Sequence, residues 1–176
     1  LDIKSYFYSV AFSFNDLEDY FEGHELLRNI RYLTGIIEKA YAVYYSKISP
    51  FRRDVGWMKK KHYPLPIGLF SSMVLGNVYL NDFDKRISHM SGIIYYGRYV
   101  DDLLMVVDRT VFKGESASDI LDDIFVKTGV LQKEGNNYTF SNYKGLSVQG
   151  DKVKLLYIDH TESKAIIDIY NDTIKI

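Results

Sequence analysis

The sequence lacks cysteine entirely over its 176 residues. This absence excludes disulfide scaffolds, thiolate zinc sites and cysteine nucleophiles together, and it makes a cytoplasmic location the default expectation. Long apolar runs are also missing: the longest, near residues 35–45 and 93–96, fall far short of the roughly 20 residues that span a bilayer. No excess of either charge exists, with 22 Lys and Arg against 23 Asp and Glu, which argues against a general nucleic-acid coat protein.

What the chain does contain is enough apolar surface for one core. Hydrophobic residues make up 47% of the sequence, and this length predicts a single domain over residues 1–176. The chain begins Leu1-Asp2 without an initiator Met or a leader, so we expect a segment excised from a longer protein.

The first half predicts an opening strand, a long helix and an extended segment. Asp2–Val10 is rich in β-branched and aromatic residues, which favours a strand. Pro64 and Pro66 forbid a regular helix over Phe51–Ile67. The helix is predicted over His24–Ile48, where apolar residues recur every three to four positions: Leu26, Ile30, Leu33, Ile37, Ala40 and Tyr44.

The second half alternates helices and strands. Ser71 or Ser72 is expected to cap a helix whose apolar stripe comprises Leu75, Tyr79, Phe83 and Ile87. The apolar runs 93–96 and 103–107 predict a β-hairpin, followed by a helix over 117–127 and strands over 138–140, 153–158 and 165–170. The expected fold class is α+β, with an antiparallel sheet that helices cover on one face.

Adjacent carboxylates at Asp101 and Asp102 lie between the two runs of the predicted hairpin. Burial and mutual repulsion raise their pKa values unless a cation compensates, and a divalent metal is one such cation; solvated turn aspartates are the alternative. A second pair, Asp122 and Asp123, has apolar neighbours at helical spacing and predicts a solvated helix face. Because strand neighbours point to opposite faces, a metal at the hairpin needs a further carboxylate, for which Asp2 is the candidate.

Three segments, in this order, resemble motifs of the reverse-transcriptase palm domain. Asp2 to Phe7 is similar to the first motif, Pro66 to Ser72 to the second, and Tyr99 to Asp102 to the third. The stretch Ser72 to Asn81 with Asp84, and Arg98 before Tyr99, are most similar to bacterial enzymes of the group II intron, retron and abortive-infection types, the last an antiviral defence class.

The resemblance implies an RNA-directed DNA polymerase that uses two Mg²⁺ ions, or Mn²⁺, to join a dNTP to a DNA primer on an RNA template. Asp2 and Asp101 would bridge both ions, and Asp102 would be an auxiliary ligand. Mg²⁺ takes few carboxylates and keeps waters, so its binding without nucleotide is expected to be weak. The segment from Gly145 to Lys152 resembles a fourth motif, which implies a general-acid lysine, either Lys152 or Lys154, with a solvated loop lysine as the alternative.

Three further residues take nucleotide-binding roles by the same resemblance. Phe7 would be the steric gate that excludes a ribose 2′-hydroxyl, with an ordinary core aromatic as the alternative. Gly68 would let the backbone approach the nucleotide closely, and Ser72 matches the motif serine. Ile67 and Met73 depart from the Gln and Pro that the family uses, which fits a divergent member or a partly degenerate site.

A basic island interleaves cations with aromatic residues, as nucleic-acid grooves do; a solvated charged loop is the alternative. Its cations are Arg52, Arg53, Lys59, Lys60 and Lys61. Without the fingers and thumb of a whole polymerase, the isolated chain is expected to be poorly active. An inactive palm used as a scaffold or binding module is a rival function, and an RNA-dependent RNA polymerase ranks lower because Val100 and Phe7 do not match it.

Overall fold

The computed structural model describes residues 1–20, 22–23, 25, 27–48 and 61–157. Four cations of the basic island lie outside the described residues, as does the strand predicted over 165–170: Arg52, Arg53, Lys59 and Lys60. Lys61, the remaining cation, is exposed in a turn with a positive φ of 63°.

Antiparallel strands and helices make up the described part, which confirms the α+β class. The predicted hairpin is present as β3 (Ile93–Tyr99) and β4 (Asp102–Val107), with Tyr99 paired to Asp102. A second sheet contains β5 (Leu131–Glu134), β6 (Asn137–Phe140) and β7 (Ser147–Val148) in that order. A further short antiparallel pair joins β1 (Phe12–Ser13) to β2 (His62–Tyr63).

Residues 2 and 3 connect the two larger sheets. Asp2 forms an antiparallel bridge to Asp102 at the start of β4, and Ile3 forms one to Val148 of β7. The ladder therefore continues antiparallel from β3 and β4 through residues 2–3 to β7, β6 and β5. Ile3 and Val148 are buried in the core, so alternation puts Asp2 on the other face.

The prediction of a strand over Asp2–Val10 is wrong after Ile3. Ser5 adopts a left-handed conformation with φ of 48°, which turns the chain into helix α1 (Tyr6–Ser9). Tyr6 is buried, and its hydroxyl donates to the carbonyl of Gly76 at 2.5 Å. Tertiary burial of this aromatic side chain overrides the β preference of the segment.

Helices α2 (Phe14–Tyr20), α3 (Leu27–Ile48), α4 (Phe70–Tyr79) and α5 (Asn81–Ser88) lie between β1 and β3. The prediction that Ser71 or Ser72 caps a helix is wrong, because α4 begins at Phe70 after Leu69, which makes no side-chain cap. The stripe predicted for one helix runs over two, since the backbone of Leu80 leaves helical geometry between α4 and α5.

Helix α3 confirms the predicted helix but not its inward face. Leu33, a residue of the predicted stripe, is 58% exposed. Thr34 and Tyr41 are buried instead, and each lies one position after a residue of that stripe. Its main contacts are with α2 and β2, and it reaches α4 through Tyr41, while α5 packs against β3. The inward face of α3 therefore differs from the predicted one, and it includes Tyr41, whose hydroxyl pairs with Ser72 inside the protein.

The helix predicted over 117–127 is present as α6 (Ala117–Leu121), continued by a π-helical turn over Asp122–Val126. The prediction that its acidic pair forms a solvated face is wrong. Asp122 and Asp123 are half-buried and ion-paired, Asp122 with Lys133 and Asp123 with Lys127. Sequence spacing could not show Lys133 as the partner of Asp122, because this lysine comes from β5, whereas Lys127 lies four positions after Asp123.

The end of the described chain differs from its prediction as well. A 3₁₀ turn covers Gly150–Lys152, and residues 153–157 form no strand, contrary to the strand predicted over 153–158. Within the described ranges, no helix combines the length and apolar character that crossing a bilayer requires.

Candidate functional site

The acidic residues predicted to hold metal lie together at one edge of the hairpin. The Asp2–Asp102 bridge is flanked by hydrogen bonds from the Ile3 amide to the Asp101 carbonyl (3.0 Å) and from the Leu103 amide to the Leu1 carbonyl (2.8 Å). This is the non-hydrogen-bonded type of antiparallel pair, in which facing side chains come closest. The side chains of Asp2 and Asp102 therefore start from neighbouring positions on one face.

Asp101 lies in the two-residue turn between β3 and β4, and the turn is strained. Val100, which precedes it, has a positive φ of 57° and is 4% exposed. A β-branched residue rarely adopts this conformation, whose cost is on the order of 1–3 kcal/mol. The turn frees Asp101 from strict strand alternation, which would otherwise direct it away from Asp102.

Electrostatic repulsion acts on the Asp101 carboxyl group. Burial raises its pKa above the ordinary value, a hydrogen bond from its own backbone amide lowers it, the carboxylates of Asp102 and Asp2 raise it further, and the ammonium of Lys152 opposes them. Asp101 is half-buried and Asp102 is exposed. The cluster thus holds more negative charge than its surroundings neutralise.

Lys152 supplies a positive side-chain charge to the cluster, and the N-terminal ammonium of Leu1 also interacts with Asp102 and Asp2. Its ammonium donates to Asp2 Oδ2 at 2.8 Å, and the lysine side chain remains 57% exposed. The 3₁₀ turn that carries Lys152 follows Gln149, whose amide donates to the Asp2 carbonyl. Of the two lysines offered by the sequence, Lys152 therefore contacts the site in this structure, and Lys154 is exposed.

Sequence analysis missed Gln149. Its backbone pairs with Asp2, so its side chain starts on the same face as the carboxylate. Among the described residues, its Oε1 is a buried side-chain oxygen without a hydrogen-bond partner. Only the strand register could have revealed this neighbour, because 147 positions separate the two residues in sequence.

The donor chemistry of the cluster fits Mg²⁺ or Mn²⁺. Carboxylates of Asp2, Asp101 and Asp102 and the carbonyl oxygen of Gln149 are hard oxygen ligands, which these ions prefer. The side chains are not arranged around an ion: over the described ranges, no three His, Cys, Asp or Glu residues are grouped as metal ligands. Lys152 instead provides the charge that a metal would provide.

The three residues predicted to contact the nucleotide, Phe7, Gly68 and Ser72, differ in how far they are exposed. Phe7 is half-buried on α1, with its ring 5.9 Å from that of Tyr6. Gly68 has a φ of 89°, which favours glycine, and a side chain there would meet open space. Ser72 is fully buried and bonded to Tyr41 at 2.8 Å, so in this structure it offers no surface to a nucleotide.

A cavity between α2, α4 and the residue 142–144 segment lies away from the acidic cluster. It has a volume of about 420 Å³, and its wall includes Asp16, His62, Tyr79 and Tyr143 but none of the predicted site residues. Burial raises the pKa of Tyr79 to about 12, so its hydroxyl stays protonated at neutral pH. Because Asp102 is exposed and Asp101 is only half-buried, the acidic cluster faces solvent, which suits a long polymer better than an enclosed small molecule.

Replacing Asp101 with Asn should stabilise the metal-free chain. Because the folded state raises the pKa of this carboxyl, its ionised form costs folding energy at neutral pH, and that cost disappears when the group is protonated. We expect a gain below about 1 kcal/mol, since the site is partly solvated. Urea unfolding at neutral pH measures it, and the gain should vanish in acid.

Asp123→Asn is the matched control, since it removes a carboxylate that Lys127 already neutralises. This variant should be no more stable than wild type. An Asp101→Asn variant less stable than wild type at neutral pH would contradict the repulsion described above.

Comparison of the chain with protein-family models, curated proteins and solved structures finds no match to any of them.

Proposed function

We propose that the chain is the catalytic palm of an RNA-directed DNA polymerase, with the active site at the Asp2, Asp101 and Asp102 cluster. The observation that carries the proposal is the strand register, which sets Asp2 opposite Asp102 beside a tight acidic turn. Two segments a hundred residues apart in sequence thus supply carboxylates to one edge. The α+β layering, with α5 on β3, is compatible with a palm.

The chain's own residues would prepare nucleotidyl transfer in three ways. Asp2 and Asp101 would hold a pair of Mg²⁺ ions, with Asp102 and Gln149 adjacent. When bound, such ions activate the primer 3′-hydroxyl and stabilise the leaving pyrophosphate. Phe7 would exclude a ribose 2′-hydroxyl by steric overlap, and the open space at Gly68 would admit the substrate backbone.

Lys152 would change partner during this cycle. In the metal-free state its ammonium neutralises Asp2. If Asp2 were to hold a metal ion, the exposed lysine would be free of this ion pair and could donate a proton to the departing pyrophosphate. Both roles need a long, mobile cation beside Asp2, which this side chain provides.

An inactive palm that serves as a scaffold or nucleic-acid-binding module is the second candidate. The contact between Lys152 and Asp2 favours it, because a protein cation already neutralises one candidate ligand. In the described part of the chain, the acidic side chains also do not converge as ligands.

Primer extension separates these functions. The full natural protein that carries this sequence is given an RNA template, a DNA primer and dNTPs with Mg²⁺ or Mn²⁺. Template-dependent extension supports the polymerase. Binding of primer and template without extension supports the scaffold, and extension with rNTPs in place of dNTPs supports an RNA polymerase.

A further inference from the structure

Directly behind the acidic turn lies a buried arginine whose contacts reach three other segments. The Arg98 side chain on β3 is 3% exposed. Its Nε donates to Asp84 Oδ1 at 2.8 Å and its Nη2 to Asp84 Oδ2 at 2.6 Å, a two-pronged ion pair to α5. Planar fork geometry of this kind fixes both direction and distance.

The remaining N–H groups of Arg98 fix α4 and the turn. Nη1 and Nη2 donate to the side-chain and main-chain oxygens of Asn77, each at 3.0 Å, and Nη1 also donates to the Val100 carbonyl at 2.6 Å. A guanidinium has five N–H donors, and each of them has an acceptor here. Tyr96 adds a hydrogen bond from its hydroxyl to Asp84 at 2.5 Å.

We propose that Arg98 is a positioning residue that holds the Val100 carbonyl, and with it the strained turn, so that Asp101 is presented beside Asp2. This inference rests on the proposed function and explains how the turn keeps its shape. Val100 and Asp101 share one peptide unit, so fixing the Val100 carbonyl fixes the plane from which Asp101 begins. Lysine at this position has a point charge and lacks the fork that reaches Asp84, Asn77 and Val100 together.

The chain contains a matched control for this cluster. Lys133 binds Asp122 at 2.6 Å, and the Tyr138 hydroxyl donates to the same carboxylate at 3.0 Å. This cation, carboxylate and tyrosine repeat the chemistry of Arg98, Asp84 and Tyr96, but they join the π-helical turn after α6 to the β5–β6 hairpin and do not belong to the acidic turn.

The test compares two double variants in which apolar residues replace an ion pair, Arg98→Met with Asp84→Leu and Lys133→Met with Asp122→Leu. Replacing both partners avoids leaving an unpaired buried charge. Arg98→Lys is a third variant, which keeps the charge but loses the fork. Mn²⁺ affinity, from paramagnetic broadening of the Asp101 and Asp102 amide signals, and amide exchange in the turn are measured on the 176-residue chain.

Loss of the Arg98 fork should weaken Mn²⁺ binding about 10- to 100-fold and speed exchange of the turn amides, as outer-shell substitutions do. Arg98→Lys should also weaken Mn²⁺ binding and speed exchange of the turn amides. The Lys133→Met and Asp122→Leu double variant should match wild type in both measurements. A folded Arg98 variant with wild-type affinity and exchange would overturn the inference. If wild type itself binds no Mn²⁺ here, the proposed function fails, and turn exchange alone then decides the positioning role.

Discussion

Asp101→Asn should abolish template-dependent dNTP incorporation by the full natural protein that carries this sequence. A neutral amide cannot replace a charged ligand shared by two ions, and the loss of several kcal/mol of transition-state stabilisation corresponds to a rate reduction on the order of a thousandfold. The fold should persist, because replacing this carboxylate removes a partly buried charge and relieves repulsion from Asp102 and Asp2. Primer extension and circular dichroism measure the two effects side by side.

Asp123→Asn again provides the control, since it changes an Asp-Asp pair that lies on the π-helical turn instead of the hairpin. Incorporation by this variant should equal that of wild type. Undiminished incorporation by the Asp101→Asn protein would exclude the role of Asp101 as a metal ligand and would place the polymerase active site away from the acidic turn.

Phe7→Ala should reduce the preference of the full protein for dNTPs over rNTPs by at least about tenfold. If the ring closes the space beneath the sugar, its removal admits the 2′-hydroxyl, and each 1.4 kcal/mol of lost discrimination is a factor of about ten. Single-nucleotide incorporation with dNTP and rNTP on the same primer and template gives this ratio.

Stability must be measured alongside that ratio, because Phe7 also packs against the core. A fully buried Phe→Ala change costs about 3–5 kcal/mol, and the half-buried Phe7 should cost less. Phe14→Ala is a suitable control, because the Phe14 ring is buried against Tyr41, with the two ring centroids 5.3 Å apart, and Phe14 is not one of the predicted site residues. It should destabilise the protein without changing sugar selection. An unchanged ratio in a destabilised Phe7→Ala protein would make Phe7 a packing residue.

Local sequence patterns predicted the elements whose interactions are local. The β3–β4 hairpin follows from two apolar runs around a short polar centre, and α3 follows from its three-to-four spacing. The α+β class follows from both. Pattern alone failed where a distant side chain decides the outcome, as with the turn at Ser5 that buries Tyr6 against Gly76.

The candidate site was likewise predicted in part. Motif order predicted Asp2, Asp101 and Asp102 together with either Lys152 or Lys154, and the structure brings the three aspartates and Lys152 to one place. Sequence could not reveal that Gln149 pairs with Asp2, or that Arg98 grips the Val100 carbonyl, because both depend on register and on packing between segments far apart in sequence. Ser72 matched a motif, yet its burial against Tyr41 depends on the position of α3.

Crystals of the chain grown with Mn²⁺ and measured for anomalous scattering test the central claim most directly. We expect manganese peaks held by Asp2 and Asp101, with the Lys152 ammonium displaced from Asp2 Oδ2. Carboxylates of Asp2 and Asp101 more than ~8 Å apart could not share two ions about 4 Å apart. That separation, or a retained Lys152–Asp2 ion pair with no manganese beside it, would contradict the proposal that Asp2 and Asp101 hold the metal ions.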